Sequence, residues 1–279
     1  MQEVFKKFAN LCLAESNIPN KWKLVQVYPI PKNEDWGYQL YNVRPIALLE
    51  TFRKCITRLI TKRIAKVMVE KEILRGPNYA GLPGCSMQEP INLVEMITED
   101  AHENKKEVWL MLQDMKKAYD SVSIKTLRYA LQRIKLPSRI IDFIIELFDK
   151  RRVKIITDFG LTEEFEAGDG IEQGETISPL VWRIFYDPLL RKIQDNKAIG
   201  YKVRSRHIID LQLNSTNIVD IRQAAVAFAD DTTWVAENKG QMEQILQIAQ
   251  RFFKFNNIQI NGTKFKLVVI NLKLSKEER

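Results

Sequence analysis

The chain has 279 residues, of which 45% are apolar and 28% are charged, and its formal net charge is +8. These values are typical of a globular protein with a substantial core, organised as one large domain or two closely joined lobes. No apolar run is long enough to span a membrane, and no signal-type segment follows Met1. We therefore expect no membrane partner.

The positive charge is concentrated near the N-terminus. Residues 1–76 contain 14 Lys/Arg against 7 Asp/Glu. Such an asymmetry is typical of a surface that meets a polyanion such as a nucleic acid. A solvated basic face is the alternative, and charge alone does not separate the two.

The cysteines indicate a reducing compartment. Cys12, Cys55 and Cys85 are far apart and odd in number, so they form neither a disulfide framework nor a zinc pattern. With His102 and His207 as the two histidines, a His/Cys metal site is not expected. The sequence therefore favours an intracellular location, nuclear or cytoplasmic.

Hydrophobic periodicity predicts helices and strands along the whole chain. The helix predicted at 51–72 has an apolar stripe on one side and a basic face, beginning with Arg53, on the other. The segment at 199–222 is interpreted as an irregular or hairpin insertion. Helices are predicted at about 1–17, 51–72, 88–103, 123–134, 138–149, 180–194 and 239–254. Strands are predicted at about 24–28, 107–113, 153–157, 163–166, 224–229, 232–236 and 265–271. The pattern favours an α+β fold, a mostly antiparallel sheet with helices on one face.

A polar loop separates two extended segments near the N-terminus, and a cation stands at each of its ends. Lys32 follows the first segment and Arg44 opens the second. This placement suits joint binding of a phosphate group. For either residue alone, a surface cation is the simpler interpretation.

Residues 224–236 form the most informative stretch. Two apolar, strand-like runs flank Asp230-Asp231, which predicts a hairpin with two adjacent carboxylates at its tip. Like charges this close resist joint ionisation, and a bound divalent cation removes the conflict. A solvated turn is the alternative, since Asp is common in turns.

A third carboxylate ends another predicted strand, 107–113. If this strand neighbours the hairpin, Asp114 converges with Asp230 and Asp231. Oxygen ligands select hard cations, so Mg²⁺ is expected and Mn²⁺ is possible. Two such ions bridged by carboxylates stabilise the attacking and leaving oxygens of a phosphoryl displacement.

Six motifs occur in order between about residues 18 and 271. They are Pro29-Ile30-Pro31-Lys32, Arg44-Pro45-Ile46, Asp114-Met115-Lys116-Lys117-Ala118-Tyr119-Asp120-Ser121-Val122, Gly170-Ile171-Glu172-Gln173-Gly174 with Ser178-Pro179, Phe228-Ala229-Asp230-Asp231, and Asn261-Gly262-Thr263-Lys264. Together these motifs resemble those of the reverse transcriptases, most closely the enzymes of non-LTR (LINE-type) retrotransposons.

The resemblance implies a metal site and a proton donor. By analogy with the family, two Mg²⁺ ions would be held by Asp114, Asp230, Asp231 and the backbone carbonyl of Met115. Lys264 would lie near the leaving pyrophosphate as a general acid.

The resemblance also implies a nucleotide site. Lys32 and Arg44 would bind the incoming triphosphate, and Gln173 would contact the nucleotide or the template. Tyr119 would lie under the sugar and exclude a 2′-hydroxyl, although a core aromatic is the alternative. Asp120 is kept out of catalysis because it could cap the following helix.

The implied fold is a right-hand polymerase. Residues 1–105 would be mainly fingers, with part of 125–170, and residues 106–279 mainly palm. The primer-grip hairpin, the thumb, an RNase H domain and an endonuclease have no counterpart in this sequence, so we expect the chain alone to extend a primer poorly. The family's Gln-x-Gly-Phe segment appears as Asn78 to Leu82, which puts template contacts there in doubt.

The favoured function is an RNA-directed DNA polymerase that uses an RNA template, a DNA primer and deoxynucleoside triphosphates. A nucleic-acid-binding remnant that no longer polymerises is the first alternative. A group II intron-type reverse transcriptase is the second.

Overall fold

A computed structural model describes residues 2–32, 37–39, 42–210 and 215–272. The seven helices in this part of the chain are α1 Gln2–Ala14, α2 Thr51–Glu70, α3 Gln88–Glu103, α4 Ile124–Arg133, α5 Ser138–Phe148, α6 Ser178–Gln194 and α7 Lys239–Phe255. The strands are β1 Leu24–Pro31, β2 Val43–Leu48, β3 Val108–Gln113, β4 Arg151–Thr157, β5 Gly160–Leu161, β6 Phe165–Ala167, β7 Tyr201–Asp210, β8 Ser215–Gln223, β9 Ala225–Phe228, β10 Asp231–Ala236 and β11 Lys266–Ile270.

The predicted helices and strands are confirmed to within a few residues at their ends. The insertion at 199–222 is a hairpin, in which β7 pairs with β8 from Tyr201↔Gln223 to Asp210↔Ser215. The stretch at 224–236 is also a hairpin, β9 and β10, as its alternation predicts.

The chain forms two compact units, each built from two segments. The first comprises Met1–Ile73 and Lys117–Phe185, and the second Leu74–Lys116 and Tyr186–Arg279. These boundaries differ from the predicted division into fingers and palm at about residue 105, and that division stays a prediction.

The first unit contains a sheet in the order β2-β1-β4-β5, with β6 also paired to β4. Its central strand β1 is antiparallel to β2 and parallel to β4, where Leu24–Val27 pair with Arg152–Ile155. Val25, Ala47, Leu49 and Val153 form the apolar core of this sheet.

The buried face of α2 differs from the predicted one. It includes Ile56, Ile60 and Ile64 as expected, but also Arg53 and Thr57. Arg53, predicted as part of the exposed basic face, has no solvent exposure. That prediction is wrong because carboxylates elsewhere in the first unit neutralise this guanidinium, as described below.

The second unit contains a four-stranded antiparallel sheet in the order β11-β3-β10-β9. All four strands were predicted, and β3, the first of them in sequence, is central. The sheet therefore brings the end of β3 beside the start of β10, which is the arrangement that convergence of the three aspartates requires.

Helices cover parts of both faces of this sheet, so the prediction of helices on one face is wrong. On one face Val235 clusters with Ile97 and Ala101 of α3. On the other face the hydroxyl of Thr232 lies 3.0 Å from that of Tyr186 in α6. Strand residues of opposite parity point to opposite faces. Because β3 and β10 are apolar on both faces, both need cover.

Within the described residues, no helix combines the length and apolar character needed to cross a lipid bilayer.

Candidate active site

The register of β3 and β10 brings two of the predicted metal ligands together. Thr232 pairs with Gln113 in the antiparallel ladder. Continued by one position, this register places Asp231 opposite Asp114, the residue that follows β3, and the charge of Asp114 acts on Asp231. The convergence predicted from two separate sequence segments is thus built by a ladder of five residue pairs, Thr232↔Gln113 to Ala236↔Trp109.

Asp230 lies in the turn between β9 and β10. Its neighbour Ala229 has a φ of 57°, a left-handed conformation that is uncommon for a residue with a side chain. Burial raises the pKa of the Asp230 carboxyl, and the charges of Asp231 and Asp114 raise it further. The three carboxylates are therefore close enough to repel one another.

The same repulsion acts on Asp231. Burial raises the pKa of its carboxyl, the charge of Asp114 adds to the rise, and the charge of Lys264 opposes it. A cation placed near these groups would relieve the conflict, which is the physical argument for a metal.

Two residues of the Asn-x-x-Lys motif hold the side chain of Asp114. The ammonium nitrogen of Lys264 lies 3.3 Å from Oδ2 of Asp114. The side-chain amide of Asn261 donates a hydrogen bond of 3.0 Å to the same oxygen. Asn261 was quoted as part of this motif but was not assigned a role in the site.

The carbonyl of Met115 takes no part in the hydrogen bonds that pair the backbone after β3 with residues 259–261. Met115 forms an isolated antiparallel bridge with Ile260. The two hydrogen bonds of this bridge run from the amide of Asn261 to the Asp114 carbonyl and from the amide of Lys116 to the Gln259 carbonyl. Neither uses the Met115 carbonyl, the backbone ligand that the resemblance implies.

Among the described residues, no group of three or more His, Cys, Asp or Glu side chains has the geometry of a formed metal centre. Asp114 instead binds Lys264 and Asn261. The chemistry of the donors nonetheless fits a hard divalent cation, because they are three mutually repelling carboxylates and a backbone carbonyl.

The first unit contains the remaining predicted site residues. Lys32 and Arg44 lie on the same face of the β1–β2 hairpin, since Arg44 pairs with Ile30 and Lys32 is two residues further on. Both residues are exposed. This is the shared placement expected of a phosphate-binding pair.

Tyr119 lies in a short 3-10 turn, Tyr119–Ser121, and is half-buried. Its ring centroid is 5.9 Å from that of Trp182 in α6. Trp182 is thus a packing partner, as expected if Tyr119 is a core aromatic. Part of the tyrosine ring stays accessible, so the geometry is also compatible with a position under the nucleotide sugar.

Asp120 does not cap the helix that follows it. The N-cap position of α4 is Ser123, and the amide of Ile124 donates to the carboxylate of Asp169 at 2.9 Å. Although the Asp120 residue is exposed as a whole, partial burial raises the pKa of its carboxyl, and the charges of Lys117, Arg151 and Lys32 oppose the rise.

Gln173 lies in the glycine-rich loop after β6. This loop is hydrogen-bonded to β2. The Gln173 carbonyl accepts a 2.8 Å hydrogen bond from the amide of Ala47. The next residue, Gly174, has a φ of 112°, and a Cβ there would lie 2.7 Å from the Ala47 carbonyl oxygen. Only glycine permits this close approach.

A buried ion-pair cluster also holds this loop. Arg53 donates to Glu175 at 2.7 Å and approaches Glu172 at 3.4 Å. Its guanidinium also donates to the carbonyl oxygens of Trp22 and Leu147. Glu172 and Glu175 flank Gln173, so Arg53 sets the position of the loop although sequence analysis gave it no such role.

The fold of the chain is similar to that of solved telomerase structures. It superimposes on apo telomerase from Candida tropicalis with a TM-score of 0.59 over 96% of this chain and 55% of that one, at 12% identity. Telomerase from Candida albicans in complex with a fragment of telomeric RNA gives a TM-score of 0.59 at 13% identity, over 98% of this chain and 46% of that one.

A family model described as "Reverse transcriptase (RNA-dependent DNA polymerase)" matches residues 30–277. The chain therefore belongs to the reverse transcriptase family. This confirms the resemblance seen in its motifs.

The curated relatives are retrotransposon proteins. The Pol polyprotein of the R2 element of Popillia japonica is 23% identical over 260 residues, covering 93% of this chain and 34% of that protein. The R2DM Pol polyprotein of Drosophila melanogaster is 23% identical over 262 residues, covering 94% of this chain and 23% of that protein. The chain thus spans about a third or less of these relatives.

Proposed function

We propose that this chain is the catalytic domain of an RNA-directed DNA polymerase of the non-LTR retrotransposon type. The observation that carries the proposal is the register of β10 and β3, which brings Asp231 to Asp114 just beyond the last pair, with Asp230 in the adjoining turn. Family membership supplies the reaction class. In this assignment the sheet of the second unit belongs to the palm and the β1–β2 hairpin to the fingers.

Asp114, Asp230, Asp231 and the Met115 carbonyl would hold Mg²⁺, or Mn²⁺ in its place. When bound, the metal would lower the charge at the reacting phosphate and favour an ionised primer hydroxyl. Lys264 is held by Asp114 and is the proposed proton donor to the leaving pyrophosphate.

The nucleotide contacts are assigned to the first unit. Arg44 offers a planar guanidinium and Lys32 a point charge for the triphosphate, and both are exposed on one face of the hairpin. Tyr119 is assigned to the sugar and Gln173 to the nucleotide or template. The proposed partners are an RNA template, a DNA primer and deoxynucleoside triphosphates.

Primer extension tests the proposal directly. The chain is incubated with a DNA primer annealed to an RNA template, deoxynucleotides and Mg²⁺. We expect weak extension that requires the divalent ion and is lost in Asp231→Asn and Asp114→Asn. Asp195→Asn, at an exposed site in an ion pair with Arg191, serves as the matched control and should extend as the wild type does.

Binding is measured on the same variants. Template–primer affinity should rest on Lys/Arg contacts to phosphate, so it should fall steeply with salt and change little in Asp231→Asn. Extension by Asp231→Asn would contradict the metal assignment. Tight binding without extension by the wild type would favour the non-catalytic nucleic-acid-binding alternative.

A further inference from the structure

Residues 77–79 line the outer edge of β9 in the second unit. The amide of Ala227 donates to the Pro77 carbonyl at 2.9 Å, and the amide of Tyr79 donates to the Ala227 carbonyl at 2.8 Å. Asn78 is thereby paired in parallel with Ala227. Its side chain is directed toward the end of β9, and the residue is 2% exposed.

The side-chain amide of Asn78 binds both polar backbone groups of Ala229. Its nitrogen donates to the Ala229 carbonyl at 2.9 Å, and its oxygen accepts from the Ala229 amide at 3.2 Å. The same oxygen also accepts from the amide of Ala80 at 3.1 Å. A buried amide used in this way is a backbone clamp and is not directed at a template.

Ala229, the residue bound by the Asn78 side chain, has a strained backbone conformation. Ala229 has its φ at 57°, and a left-handed conformation is unfavourable for a residue with a Cβ. The strained turn also carries Asp230 into the repulsion from Asp231 and Asp114. Without the clamp, the turn could relax and move the carboxylates apart.

We propose that Asn78 is a positioning residue that fixes the Ala229–Asp230 turn and so orients Asp230 and Asp231 for a divalent cation. This inference rests on the proposed metal role of the aspartates. It also gives the segment that replaces the family's Gln-x-Gly-Phe motif a role inside the site.

The matched control is another buried asparagine of the second unit. Asn256 is 6% exposed and donates from its side-chain nitrogen to the Phe252 carbonyl at 2.9 Å, at the end of α7. Asn78→Ala and Asn256→Ala thus both remove a buried amide that binds backbone. They differ in whether that backbone adjoins the aspartates.

The test uses Mn²⁺ alone as the probe, with affinity measured by water-proton relaxation on the whole chain. We expect Asn78→Ala to weaken Mn²⁺ binding about tenfold or more, the size expected of an outer-shell residue. Hydrogen exchange at the Ala229 amide should accelerate in the same variant. Asn256→Ala should lower the melting temperature while leaving both quantities unchanged.

A second variant separates positioning from stabilisation. Ala229→Gly removes the cost of the left-handed conformation, so Asn78→Ala combined with Ala229→Gly should fold even if Asn78→Ala does not. We expect the double variant to bind Mn²⁺ weakly because its turn is still unclamped. Restored binding would overturn the inference, since Asn78 would then only offset strain.

Asp231→Asn distinguishes the inference from its premise. If Asp231→Asn weakens Mn²⁺ binding but Asn78→Ala binds as the wild type does, the positioning role is wrong and the metal role stands. If Asp231→Asn also binds as the wild type does, the metal role fails and the inference fails with it.

Discussion

The ammonium group of Lys264 lies 3.3 Å from the Asp114 carboxylate, although two-thirds of the lysine side chain is exposed. The lysine charge also lowers the pKa of Asp231, against the rise caused by burial and by Asp114. Lys264 is therefore coupled to the carboxylates as well as being the proposed proton donor.

Lys264→Met should raise the pKa of Asp231. The Asp231 carboxylate would then be protonated at a higher pH, and the proton competes with the metal. As the solution is acidified, the Mn²⁺ affinity of the variant should therefore begin to fall at a higher pH than that of the wild type. Mn²⁺ titrations across the acidic to neutral range measure this shift. Lys254→Met, an exposed site near the end of α7, is the control. Identical pH profiles for Lys264→Met and the wild type would contradict the coupling.

Asp230→Asn should make the metal-free protein more stable at neutral pH. Burial and the neighbouring charges raise the folded-state pKa of Asp230, so stability falls as pH rises from the unfolded-state pKa through the folded-state pKa. Removing the charge removes this loss. Each kcal/mol gained should raise the melting temperature by about 2–4 °C.

Thermal unfolding with and without Mg²⁺ measures this effect. Added Mg²⁺ should stabilise the wild type more than Asp230→Asn, because the variant has lost a ligand. The gain in Asp230→Asn should disappear below the unfolded-state pKa. A variant less stable than the wild type at neutral pH would show that the carboxylates do not repel one another as described.

Arg53→Met should be strongly destabilising. It leaves Glu175 buried without its cation and Glu172 with Arg151 alone, and breaking a buried pair in this way costs about 3–5 kcal/mol. Chemical denaturation at neutral pH measures the loss. Arg152→Met, which breaks the exposed pair with Glu164, is the matched control and should cost at most about 1 kcal/mol.

Adding Glu175→Gln to Arg53→Met should recover part of the lost stability, because one buried charge is then removed. If Arg53→Met cost no more than Arg152→Met, the cluster would not hold the loop that contains Gln173.

Three glycine substitutions separate backbone strain from steric contact. Gly174→Ala combines a φ of 112° with a Cβ 2.7 Å from the Ala47 carbonyl oxygen. Gly160→Ala has a φ of 111° but no atom within 4 Å, and Gly168→Ala has open space and no left-handed φ. We expect destabilisation to decrease in that order, with strain alone costing about 1–3 kcal/mol. Equal losses at Gly174 and Gly160 in denaturation experiments would mean that the loop adjusts to the contact.

Tyr119→Ala should raise incorporation of ribonucleotides relative to deoxyribonucleotides. The variant removes the ring proposed to exclude a 2′-hydroxyl, whereas Tyr119→Phe keeps the ring and should retain the preference. Single-nucleotide extension with each substrate gives the ratio. An unchanged ratio in Tyr119→Ala would leave the ring as a packing partner of Trp182.

Local sequence patterns were sufficient for most of the secondary structure. The α3 helix runs from Gln88 to Glu103, the residues that helical spacing predicts, and the hairpin that carries Asp230 lies where its alternation places it. These features depend on neighbours a few positions apart. Lys32 and Arg44 are farther apart in the chain, and it is the antiparallel pairing of β1 with β2 that brings them to one face.

The contacts that sequence analysis missed join residues far apart in the chain. Asn78 and Ala229 are separated by 151 positions, and Arg53 and Glu175 by 122. Nothing near Arg53 distinguishes it from the exposed cations of α2. Its burial depends on carboxylates that only the tertiary fold brings to it. Polar side chains whose partners lie far away in the sequence are therefore the part of the site that could not be predicted from a single sequence.

The parallel pairing of β1 with β4 has a consequence for biosynthesis. Leu24 leaves the ribosome long before its partner Arg152, and the intervening stretch Leu74–Lys116 belongs to the other compact unit. At elongation rates of about 5–20 residues per second, β1 waits several seconds for β4. Meanwhile its hairpin with β2 has an open edge and carries Tyr28 and Ile30, which remain exposed even in the folded chain. A nascent chain stalled before residue 151 would therefore be a natural substrate for chaperones and prone to self-association.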